Sequence, residues 1–531
     1  STEDASFKLS LLPPPSSMKG IDAVVERLIL AIEKQEQMVI VADYDADGAT
    51  ACAIGLRGLR RMGAKIGYIV PNRFEYGYGL TPEIVDLAAK ENPRVIVTVD
   101  NGIASVDGVA RARELAIDVI VTDHHLSGDT LPDTLTIVNP NQPGCTFPSK
   151  ALAGCGVMFY VLLALRARLR ERAVYTSETQ PDLNDLLSLV ALGTVADVVP
   201  LDALNRRLVE AGLRRIRDGK AQPGINALLE VAARSASKAT AYDFGFILGP
   251  RINAAGRLDD ISLGIECLLT DDAARALEIA TQLDQLNRER RSIEAGMRDE
   301  ADHMIRAEIT PDQRAIVVMD STWHQGVVGI VAGRLRETYH RPSIVFAPGE
   351  GTELKGSGRS IPGFHLRDAL DLVSKRHPQL MRKFGGHAMA AGVTITNANF
   401  ARFAKAFEAV ASELLTPAML EQRVESDGSF NAEDFDFETA AALHNHVWGQ
   451  AFPPPLFDDE FTVVDARIVA LKHTKLRLKR GARFFDAIRF NCTEAPPGQL
   501  RAAYKLSLSE WQGEQRVELI IEHWWDAAAL A

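Results

Sequence analysis

The chain has 531 residues, of which 59 are Lys or Arg and 70 are Asp or Glu, giving a formal net charge of −11. At roughly 150 residues per domain, this length predicts three or four domains. A composition of 46% hydrophobic and 24% charged residues excludes a disordered chain, a collagen-like fibre and a small disulfide-stapled domain. The acidic total argues against nucleic acid as a partner unless charge is segregated along the chain.

Targeting and redox signals predict a cytoplasmic protein. The N-terminus shows no basic region followed by an apolar core, so we expect no signal peptide. No apolar stretch approaches the ~18–20 residues needed to span a bilayer. The five cysteines are widely spaced and include no C-x-x-C pair, which favours a reducing compartment over a disulfide framework.

Strand and helix patterns alternate in the first part of the chain. Short β-rich apolar runs predict strands at residues 38–42, 66–70, 94–99 and 117–122. Helical patterns lie between them, at residues 49–62, from 81 onward and at 104–115. This alternation predicts an α/β fold with a parallel, doubly wound sheet. The pattern of residues 152–269 is mostly helical.

Four further regions follow. A long charged helix with one apolar stripe is predicted for residues 271–308, and we interpret it as a connection between domains. Residues 314–415 have the pattern of a second α/β unit. Residues 421–460 carry ten acids and one Arg, which suits a solvated linker or a segment that repels DNA from a wrong path. Residues 461–531 alternate like the strands of a small barrel or sandwich.

The most informative motif is Asp43-Tyr-Asp-Ala-Asp-Gly48, directly after the first predicted strand. A D-x-D-x-D-G run also begins an EF-hand calcium loop, but such a loop requires Glu at its twelfth position and a preceding helix. Here the twelfth residue is Ile54 and a strand precedes the motif. Three crowded carboxylates repel one another unless a cation neutralises them. The motif therefore predicts a metal site rather than a set of helix caps.

Two further strands end in acids and histidines. The third is followed by Asp100-Asn-Gly102 and the fourth by Asp123-His-His125. Each alone could be a turn or an ordinary core histidine. Because ligands gather at the carboxyl ends of parallel strands, we expect both to converge with the first motif. Asp197 lies in an apolar run where an unpaired carboxylate is costly, and a metal would compensate it.

The donor set indicates which metal is bound. Carboxylates with one or two histidines and no thiolates suit manganese or magnesium rather than structural zinc. The acids outnumber the needs of one ion. Two divalent cations about 3.5–4 Å apart form the arrangement that hydrolyses phosphate esters.

The ordered set of motifs resembles the DHH phosphoesterase family. The motifs that carry the resemblance are Asp43–Gly48, Pro71–Arg73, Asp100–Gly102, Asp123–His125, Asp197 and Gly385–Gly392. Within the family, the chain is similar to the bacterial exonucleases that degrade single-stranded DNA in the 5′→3′ direction. The resemblance implies an N-terminal segment and four parts, namely a DHH catalytic domain, a connecting helix, a DHH-associated substrate-binding domain and an OB-like single-stranded-DNA-binding barrel. Their expected bounds are residues 1–37, 38–270, 271–310, 311–418 and 419–531.

The resemblance also assigns the catalytic residues. The implied metal ligands are Asp43, Asp45, Asp47, Asp100, His124 and Asp197. Asp100 would bridge the two ions, and Asp43 would be a ligand or a hydrogen-bond acceptor beside them. His125 would face the substrate phosphate. Water activated by the two ions would cleave the phosphodiester and release 5′-mononucleotides without a covalent intermediate.

Two motifs are implied to bind substrate phosphates. Arg73 would bind the terminal 5′ phosphate, since a planar guanidinium can donate two parallel hydrogen bonds, although the same residue could be a surface cation. A Gly-Ser loop would approach an anion closely through Ser357, Arg359 and Ser360.

Two other stretches complete the implied substrate site. Gly386 and His387 match the substrate-binding loop of the DHH-associated domain, with His387 contacting a phosphate near the metals. DNA-backbone contacts are expected from Arg251, Asn253 and Arg257. Arg251 could instead brace the region around Asp197.

Positive charge is concentrated near the C-terminus. Residues 466–489 carry eight Lys or Arg against one acid. Lys475, Arg477 and Lys479 alternate so that one strand face is basic, and Arg483 and Phe484 follow. A solvated edge strand protected against aggregation has the same pattern. We favour an OB-type groove in which cations follow phosphates and aromatic rings stack on bases, with salt-dependent and sequence-independent binding.

The sequence therefore predicts a manganese- or magnesium-dependent exonuclease of single-stranded DNA, acting in recombination and repair. One alternative is a DHH-type hydrolase of a small dinucleotide or phosphoanhydride, which would not need the basic C-terminal region. Another is a catalytically inactive DNA-binding scaffold, which predicts eroded ligands. The resemblance implies single-strand-binding protein and a RecQ-type helicase as partners. We expect a monomer and no membrane association.

Overall fold

The computed structural model describes residues 7–71, 76, 79–134, 136–308, 313–431, 434–511 and 514–529. The chain forms two compact units. The first comprises Ser1–Asn253, Ile261–Thr281 and Val424–Ala531, and the second comprises Ala254–Asp260 and Gln282–Arg423. Among the described residues, no helix combines the length and the apolar character needed to cross a membrane.

The first unit contains a five-stranded parallel sheet in the order β2-β1-β3-β4-β5. Its strands are β1 (Met38–Ala42), β2 (Ile66–Ile69), β3 (Val95–Val99), β4 (Asp118–Thr122) and β5 (Ile137–Val138). Ala42 pairs with Val99, and Val99 pairs with Thr122. The carboxyl ends of β1, β3 and β4 therefore lie side by side at one edge.

Helices cover both faces of this sheet. Within the described residues up to 269, the longer helices are α1 (Ile21–Glu33), α2 (Ala46–Arg61), α3 (Pro82–Ala89), α4 (Val106–Glu114), α5 (Gly154–Glu171), α6 (Leu187–Ala196), α7 (Ala203–Arg217), α8 (Pro223–Val231), α9 (Gly249–Leu258) and α10 (Ser262–Leu269). A short helix, Ala241–Asp243, and a π-helical turn, Phe244–Leu248, lead into α9.

The two faces of the sheet have separate cores. Val39 and Val41 pack in one core with residues of α3 and α4. Ile40 points to the opposite face, where a β carbon at Gly55 of α2 would lie 2.9 Å from Ile40 Cδ1 and 3.4 Å from Met158 Cε of α5. The predicted doubly wound α/β arrangement is confirmed.

The second unit is built around a mixed sheet in the order β6-β7-β8-β10-β9. Its strands are β6 (Ile316–Met319), β7 (Ser343–Pro348), β8 (Glu353–Arg359), β9 (Met381–Gly386) and β10 (Ala390–Thr396). Only β6 and β7 pair in parallel within this described sheet. The helices of this part of the chain are α11 (Ala273–Glu308), α12 (Val328–Tyr339), α13 (Leu366–Arg376) and α14 (Phe400–Leu414).

The Gly-Ser stretch before residue 360 is a strand, which corrects the prediction of a loop. Gly356 and Ser357 belong to β8 and pair with β7 and β10. A β carbon at Gly356 would lie 2.4 Å from Phe346 Cε1. The glycine therefore permits close packing within the sheet, and glycine-rich composition was misleading here because it also marks loops.

The C-terminal part of the first unit is a closed barrel with the strand order β11-β12-β13-β15-β14. Its strands are β11 (Phe457–Val469), β12 (His473–Arg480), β13 (Arg483–Arg489), β14 (Gln499–Trp511) and β15 (Glu514–Asp526). Leu476, Leu478 and Tyr504 point into its core, together with Phe435, which precedes α15 (Phe437–Asn445). Of the two predicted alternatives, barrel and sandwich, the structure has the barrel.

Candidate metal centre

The first three aspartates occupy the turn between β1 and α2. Asp45 caps α2, its Oδ1 accepting hydrogen bonds from the backbone N–H groups of Asp47 at 2.9 Å and Gly48 at 3.0 Å. A β carbon at Gly48 would lie 2.4 Å from the carbonyl oxygen of Asp43, so this position requires glycine. The chain enters a helix at once and does not continue as a twelve-residue calcium loop.

Asp47 is fully buried at the N-terminus of α5. Its Oδ2 accepts from the backbone N–H of Gly154 at 2.6 Å, and its Oδ1 accepts from that of Cys155 at 2.9 Å. The unpaired N–H groups and the positive end of the helix dipole stabilise the buried negative charge. A β carbon at Gly154 would lie 2.7 Å from Asp100 Oδ1, so glycine lets two carboxylates approach the same helix end. Gly154 was not identified from the sequence.

Asp100 follows β3 in a left-handed conformation, with φ of 61°. Its backbone N–H donates to the carbonyl of Thr122 at 3.0 Å, which ties the end of β3 to β4. The next residue, Asn101, donates from Nδ2 to the carbonyl oxygens of Val41 at 3.1 Å and Val99 at 2.9 Å. The backbone that carries the Asp100 carboxylate is thus fixed at the sheet edge, because Asp100 and Asn101 together make hydrogen bonds to all three strand ends.

Asp123 organises the two histidines. Its Oδ1 accepts from the backbone N–H of His124 at 2.7 Å and lies 2.7 Å from His125 Nδ1. Its Oδ2 accepts from the backbone N–H of Ile103 at 2.9 Å. Both oxygens are occupied, so Asp123 positions the histidines.

Two asparagines donate hydrogen bonds to the backbone carbonyls of the histidine pair, and they were not identified from the sequence. Asn139 donates from Nδ2 to the carbonyl of His125 at 2.9 Å, and Asn141 donates to that of His124 at 2.6 Å. Both follow β5 in the run Asn139-Pro-Asn141. The signal available was this pair of polar residues directly after a buried strand end.

The structure brings the predicted ligand atoms together. His124 Nε2 lies 3.1 Å from Asp100 Oδ1, 3.4 Å from Asp197 Oδ2 and 3.9 Å from Asp47 Oδ2. Ligand atoms lie within 4.8 Å of one another in each of three groups, namely Asp100, His124 and His125; Asp47, His124 and Asp197; and Asp43, Asp45 and Asp100.

The hydrogen bonding of three buried atoms in this cluster indicates whether a metal fits. Asp100 Oδ1, His124 Nε2 and Asp197 Oδ2 are buried and make no hydrogen bond within the described part of the chain. Buried polar atoms are normally paired, because an unpaired one loses its hydration without compensation. A cation between them would satisfy all three. The oxygen-rich donor set with one imidazole fits Mg²⁺ or Mn²⁺.

The electrostatics of the cluster agree with that fit. Burial raises the pKa of Asp100 well above its usual range, and the neighbouring carboxylates of Asp47 and Asp45 raise it further. Burial and nearby carboxylates likewise raise the pKa of Asp43 and of Asp197. Repulsion of this kind disfavours the charged forms unless a cation offsets it.

His125 has a different environment from His124. Burial disfavours its cationic form, but the hydrogen bond to Asp123 and the nearby carboxylates raise its pKa to about 9. Burial instead lowers the pKa of His124, which favours the neutral ring that a metal ligand requires. The His125 side chain is 39% exposed, whereas that of His124 is 12% exposed.

The predicted DNA-backbone residues after residue 249 are engaged within the protein. Asn253 Oδ1 accepts from the backbone N–H of Ala46 at 2.7 Å, so it positions the aspartate turn. Arg251 is buried and donates to the carbonyl of Ile247 at 2.7 Å. Arg257 donates to the carbonyl of Gly326 at 3.1 Å within the second unit. Asn253 therefore contacts the aspartate turn through its Oδ1, its contact with DNA stays a prediction, and Arg73 lies outside the described residues.

In the second unit, the side chains of Ser357 and Arg359 contact each other. Arg359 Nη1 donates to Ser357 Oγ at 3.1 Å and to the carbonyl of Gly358 at 2.9 Å. Ser360 is fully buried and donates to the carbonyl of Phe364 at 2.6 Å, so its hydroxyl is engaged within the fold.

The Gly-Gly-His stretch forms the tight connection between β9 and β10. Gly386 has φ of 142°, and a β carbon there would lie 2.4 Å from the carbonyl oxygen of Ala390. His387 donates its backbone N–H to the same carbonyl at 2.8 Å, and its side chain is exposed. The glycine thus fixes a turn that presents the imidazole to solvent.

The barrel has the predicted alternating strand. Lys475, Arg477 and Lys479 alternate with the buried residues Thr474, Leu476 and Leu478 of β12. Arg477 forms an ion pair with Asp486 at 2.7 Å. Phe484 is half exposed, with the Arg477 guanidinium 5.6 Å and Lys479 Nζ 5.7 Å from its ring centroid, and Arg483 beside it is exposed. We call the outward side chains of Lys475, Arg477, Lys479, Arg483 and Phe484 the basic face.

Three family descriptions match successive parts of the chain. Residues 37–194 match the DHH family N-terminal domain, residues 312–413 the DHHA1 domain, and residues 426–523 the RecJ OB domain.

Curated relatives cover nearly the whole chain. The single-stranded-DNA-specific exonuclease RecJ of Salmonella typhimurium is 48% identical over 528 residues, covering 96% of this chain and 91% of that protein. The corresponding protein of Dickeya dadantii is 49% identical over 520 residues, covering 95% and 90%.

Two solved structures have the same fold. RecJ of Thermus thermophilus in complex with Mn²⁺ matches with a TM-score of 0.83 at 30% identity, covering 99% of this chain and 73% of that one. The Mg²⁺ complex matches with a TM-score of 0.77 at 29% identity, covering 98% and 72%.

Proposed function

Because the chain belongs to the RecJ single-stranded-DNA-specific exonucleases of the DHH family, we propose that it degrades single-stranded DNA from the 5′ end and releases 5′-mononucleotides. The observation that carries the proposal is the set of three ligand groups, two of which contain Asp100 and two of which contain His124. Both residues present a buried atom without a hydrogen bond in the described structure. A shared carboxylate is the feature that a two-metal phosphodiesterase requires.

Two divalent cations, manganese or magnesium, are the cofactors of the proposed reaction. The residues that would hold them are Asp43, Asp45, Asp47, Asp100, His124 and Asp197. When bound, the cations supply an acidified water and positive charge beside the scissile phosphate.

The protein's own part in the reaction is to position and neutralise charge. The N-terminus of α5 holds Asp47, and the left-handed backbone of Asp100 directs its carboxylate toward His124. Protonated His125, oriented by Asp123, would donate a hydrogen bond to a non-bridging phosphate oxygen and stabilise the charge that develops there. No cysteine is needed as a nucleophile, and Cys155 is buried behind Asp47 with its pKa raised by burial.

Substrate recognition is proposed to use sites apart from the cluster. In this proposal Arg73 binds the terminal 5′ phosphate, and Ser357, Arg359, Gly386 and His387 bind the adjacent backbone. The exposed cations and half-exposed ring of the basic face would follow single-stranded DNA. This division suits a polymeric substrate, because a dinucleotide would need no barrel.

The cellular setting is also part of the proposal. Single-strand-binding protein and a RecQ-type helicase are proposed as partners in recombination and repair, on the family resemblance, and the protein is proposed to act as a monomer. A cytoplasmic location is supported by its DNA substrate and by five free thiols, of which Cys145 and Cys492 are partly exposed.

The test is digestion of oligonucleotides labelled at the 5′ or the 3′ end, single- or double-stranded, with manganese, magnesium or a chelator. We expect labelled mononucleotide to appear first from the 5′-labelled single strand, and only when metal is present. Release of label first from the 3′ end would contradict the polarity. Cleavage of dinucleotides with no action on longer strands would favour a small-substrate hydrolase, and metal-independent binding without cleavage would favour a scaffold.

A further inference from the structure

An exposed aromatic pair in the first unit has no part in the metal centre. The rings of Tyr242 and Phe246 stack with their centroids 4.7 Å apart and their planes 21° apart. Tyr242 is 56% exposed and Phe246 is 62% exposed. Leaving two large rings in water has an unfavourable hydration free energy, so packing of the core does not explain them.

The segment that carries the pair is a rigid support. Phe244 and Leu248, between and beside the two rings in sequence, are fully buried. A capping box closes the start of the segment, where the backbone N–H of Thr240 donates to Asp243 Oδ2 at 2.8 Å. The turn from Phe244 to Leu248 is π-helical, an irregularity that occurs frequently at functional sites.

This support packs against the helix that ends at a candidate metal ligand. A β carbon at Gly245 would lie 3.4 Å from Val195 Cγ1, and one at Gly249 would lie 3.0 Å from Ala196 Cβ. Val195 and Ala196 form the last turn of α6, and Asp197 follows directly. The aromatic segment and Asp197 therefore share a rigid contact.

A second connection runs along the helical segment itself. Asn253, in the continuation of the same helical run, accepts a hydrogen bond from the backbone N–H of Ala46 in the aspartate turn. Phe246 and Asn253 are seven residues apart, which corresponds to about 10 Å of helix rise. The aromatic pair thus lies within a few nucleotides' reach of the metal centre.

We propose that Tyr242 and Phe246 form a stacking platform for an unpaired base of the single-stranded substrate close to the metal centre. The inference rests on the proposed function, because it assumes that single-stranded DNA reaches this cluster. Aromatic side chains bind any exposed base through its π-face, whereas the bases of a duplex are already stacked on their neighbours. The exposed cations Arg234 and Lys238 precede the pair and match a phosphate backbone in charge, and Arg234 also forms an ion pair with Asp243 at 3.6 Å.

The test combines a double variant with abasic substrates. Tyr242→Ala/Phe246→Ala is compared with the unaltered protein on a 5′-phosphorylated thymidine oligonucleotide in manganese, by measuring KM and kcat separately. We expect KM to rise about tenfold, since stacking on one base is worth roughly 1–3 kcal/mol. The matched control is Phe437→Ala, which removes a ring that is 45% exposed in α15 and should leave KM unchanged.

The abasic arm identifies the contact itself. A single abasic residue is moved along the oligonucleotide, and at one position it should raise KM of the unaltered protein by a similar factor. At that position it should have no further effect on the double variant. Phe246→Leu keeps an apolar side chain without a π-face, and it should show the same loss if the alanine variant fails to fold.

The possible failures are distinguishable. An unchanged KM with the full abasic penalty in the double variant overturns the platform and leaves the exonuclease assignment intact. A rise in KM that is equal for intact and abasic substrates at every position also overturns it, because the rings would then act on the fold and not on a base. Failure of the unaltered protein to degrade single-stranded DNA overturns the proposed function instead.

Discussion

The acidic cluster and the basic face, both in the first unit, hold their charges in opposite ways. Asp47 and Asp100 are almost completely buried, and Asp47 is held at both oxygens by backbone N–H groups. Lys475 and Arg477 are partly or fully exposed at alternate positions of β12, and each forms one ion pair, Lys475 with Glu518 of β15 at 3.7 Å and Arg477 with Asp486 of β13 at 2.7 Å. One set of charges is fixed by the backbone, and the other is carried by flexible side chains.

This difference follows from what each region is proposed to bind. A metal and a scissile phosphate require atoms held within fractions of an ångström, so every ligand needs a supporting hydrogen bond. A moving DNA strand requires cations that can adjust to changing phosphate positions. Exposed Lys and Arg side chains provide this at little cost in the free energy of unfolding. Substitutions in the cluster should therefore cost orders of magnitude in rate, and substitutions on the basic face should cost only a few-fold in affinity.

The largest effect is expected from Asp100→Asn. This change removes one charge from two of the ligand groups at once, and we expect kcat to fall by at least ~10³-fold, equivalent to about 4 kcal/mol of transition-state stabilisation. The measurement is single-turnover cleavage of a labelled oligonucleotide at saturating manganese. Asp129→Asn, at an exposed acid, is the control, and near-normal cleavage by Asp100→Asn would disprove the bridging role.

The next effect tests whether the backbone support matters as much as the ligands. Gly154→Ala places a β carbon 2.7 Å from Asp100 Oδ1 and forces the two carboxylates apart. We expect about a 10²-fold loss of kcat, because displacements of the order of 1 Å at a catalytic site have that cost. Gly128→Ala adds a methyl group where no atom lies within 4 Å and should have no effect. Equal activity of the two variants would show that the cluster accommodates the added β carbon without losing its catalytic geometry.

A smaller loss is expected from Asn141→Ala, which removes the hydrogen bond to the His124 carbonyl. Manganese affinity, measured by calorimetric titration, should fall about tenfold, since groups that orient a metal ligand typically contribute that much. Asn399→Ala removes a similar amide bridge to two carbonyls in the second unit and should leave affinity unchanged. A loss of thermal stability without loss of manganese affinity would count against the positioning role.

The smallest effect is expected on the basic face. Lys479→Gln should weaken binding of single-stranded DNA about two- to fivefold and reduce the slope of log affinity against log salt by about 1. Anisotropy titrations at several salt concentrations, with a chelator present to prevent cleavage, measure both. Lys90→Gln, an exposed lysine on the DHH part of the chain, serves as the control. An unchanged salt slope would show that Lys479 does not contact a DNA phosphate.

Much of the fold could be predicted from sequence because local patterns determine it. Predominantly apolar strands such as Met38–Ala42 and Val95–Val99 alternate with amphipathic helices, and this alternation is enough to indicate a parallel sheet. The carboxyl ends of those strands then locate Asp43 and Asp100 at one edge without any side-chain detail.

Other features depended on contacts between residues far apart in the chain. The Gly-Ser run before residue 360 is a strand because it pairs with β7 and β10, and Phe346 leaves no room for a β carbon at Gly356. Asn253 accepts a hydrogen bond from the backbone N–H of Ala46 although 207 positions separate them. Neither contact has a local sequence signal.

The sequence by itself determined which chemical groups the protein carries and at which strand ends they lie, since residue type and hydrophobic period are local properties. Only the tertiary structure decided how close the groups come and what holds them. The N-terminus of α5 supports Asp47, and glycine at position 154 makes room for Asp100. Such positions are set by packing, where a single β carbon changes distances by ångströms, and packing is a property of the folded chain as a whole.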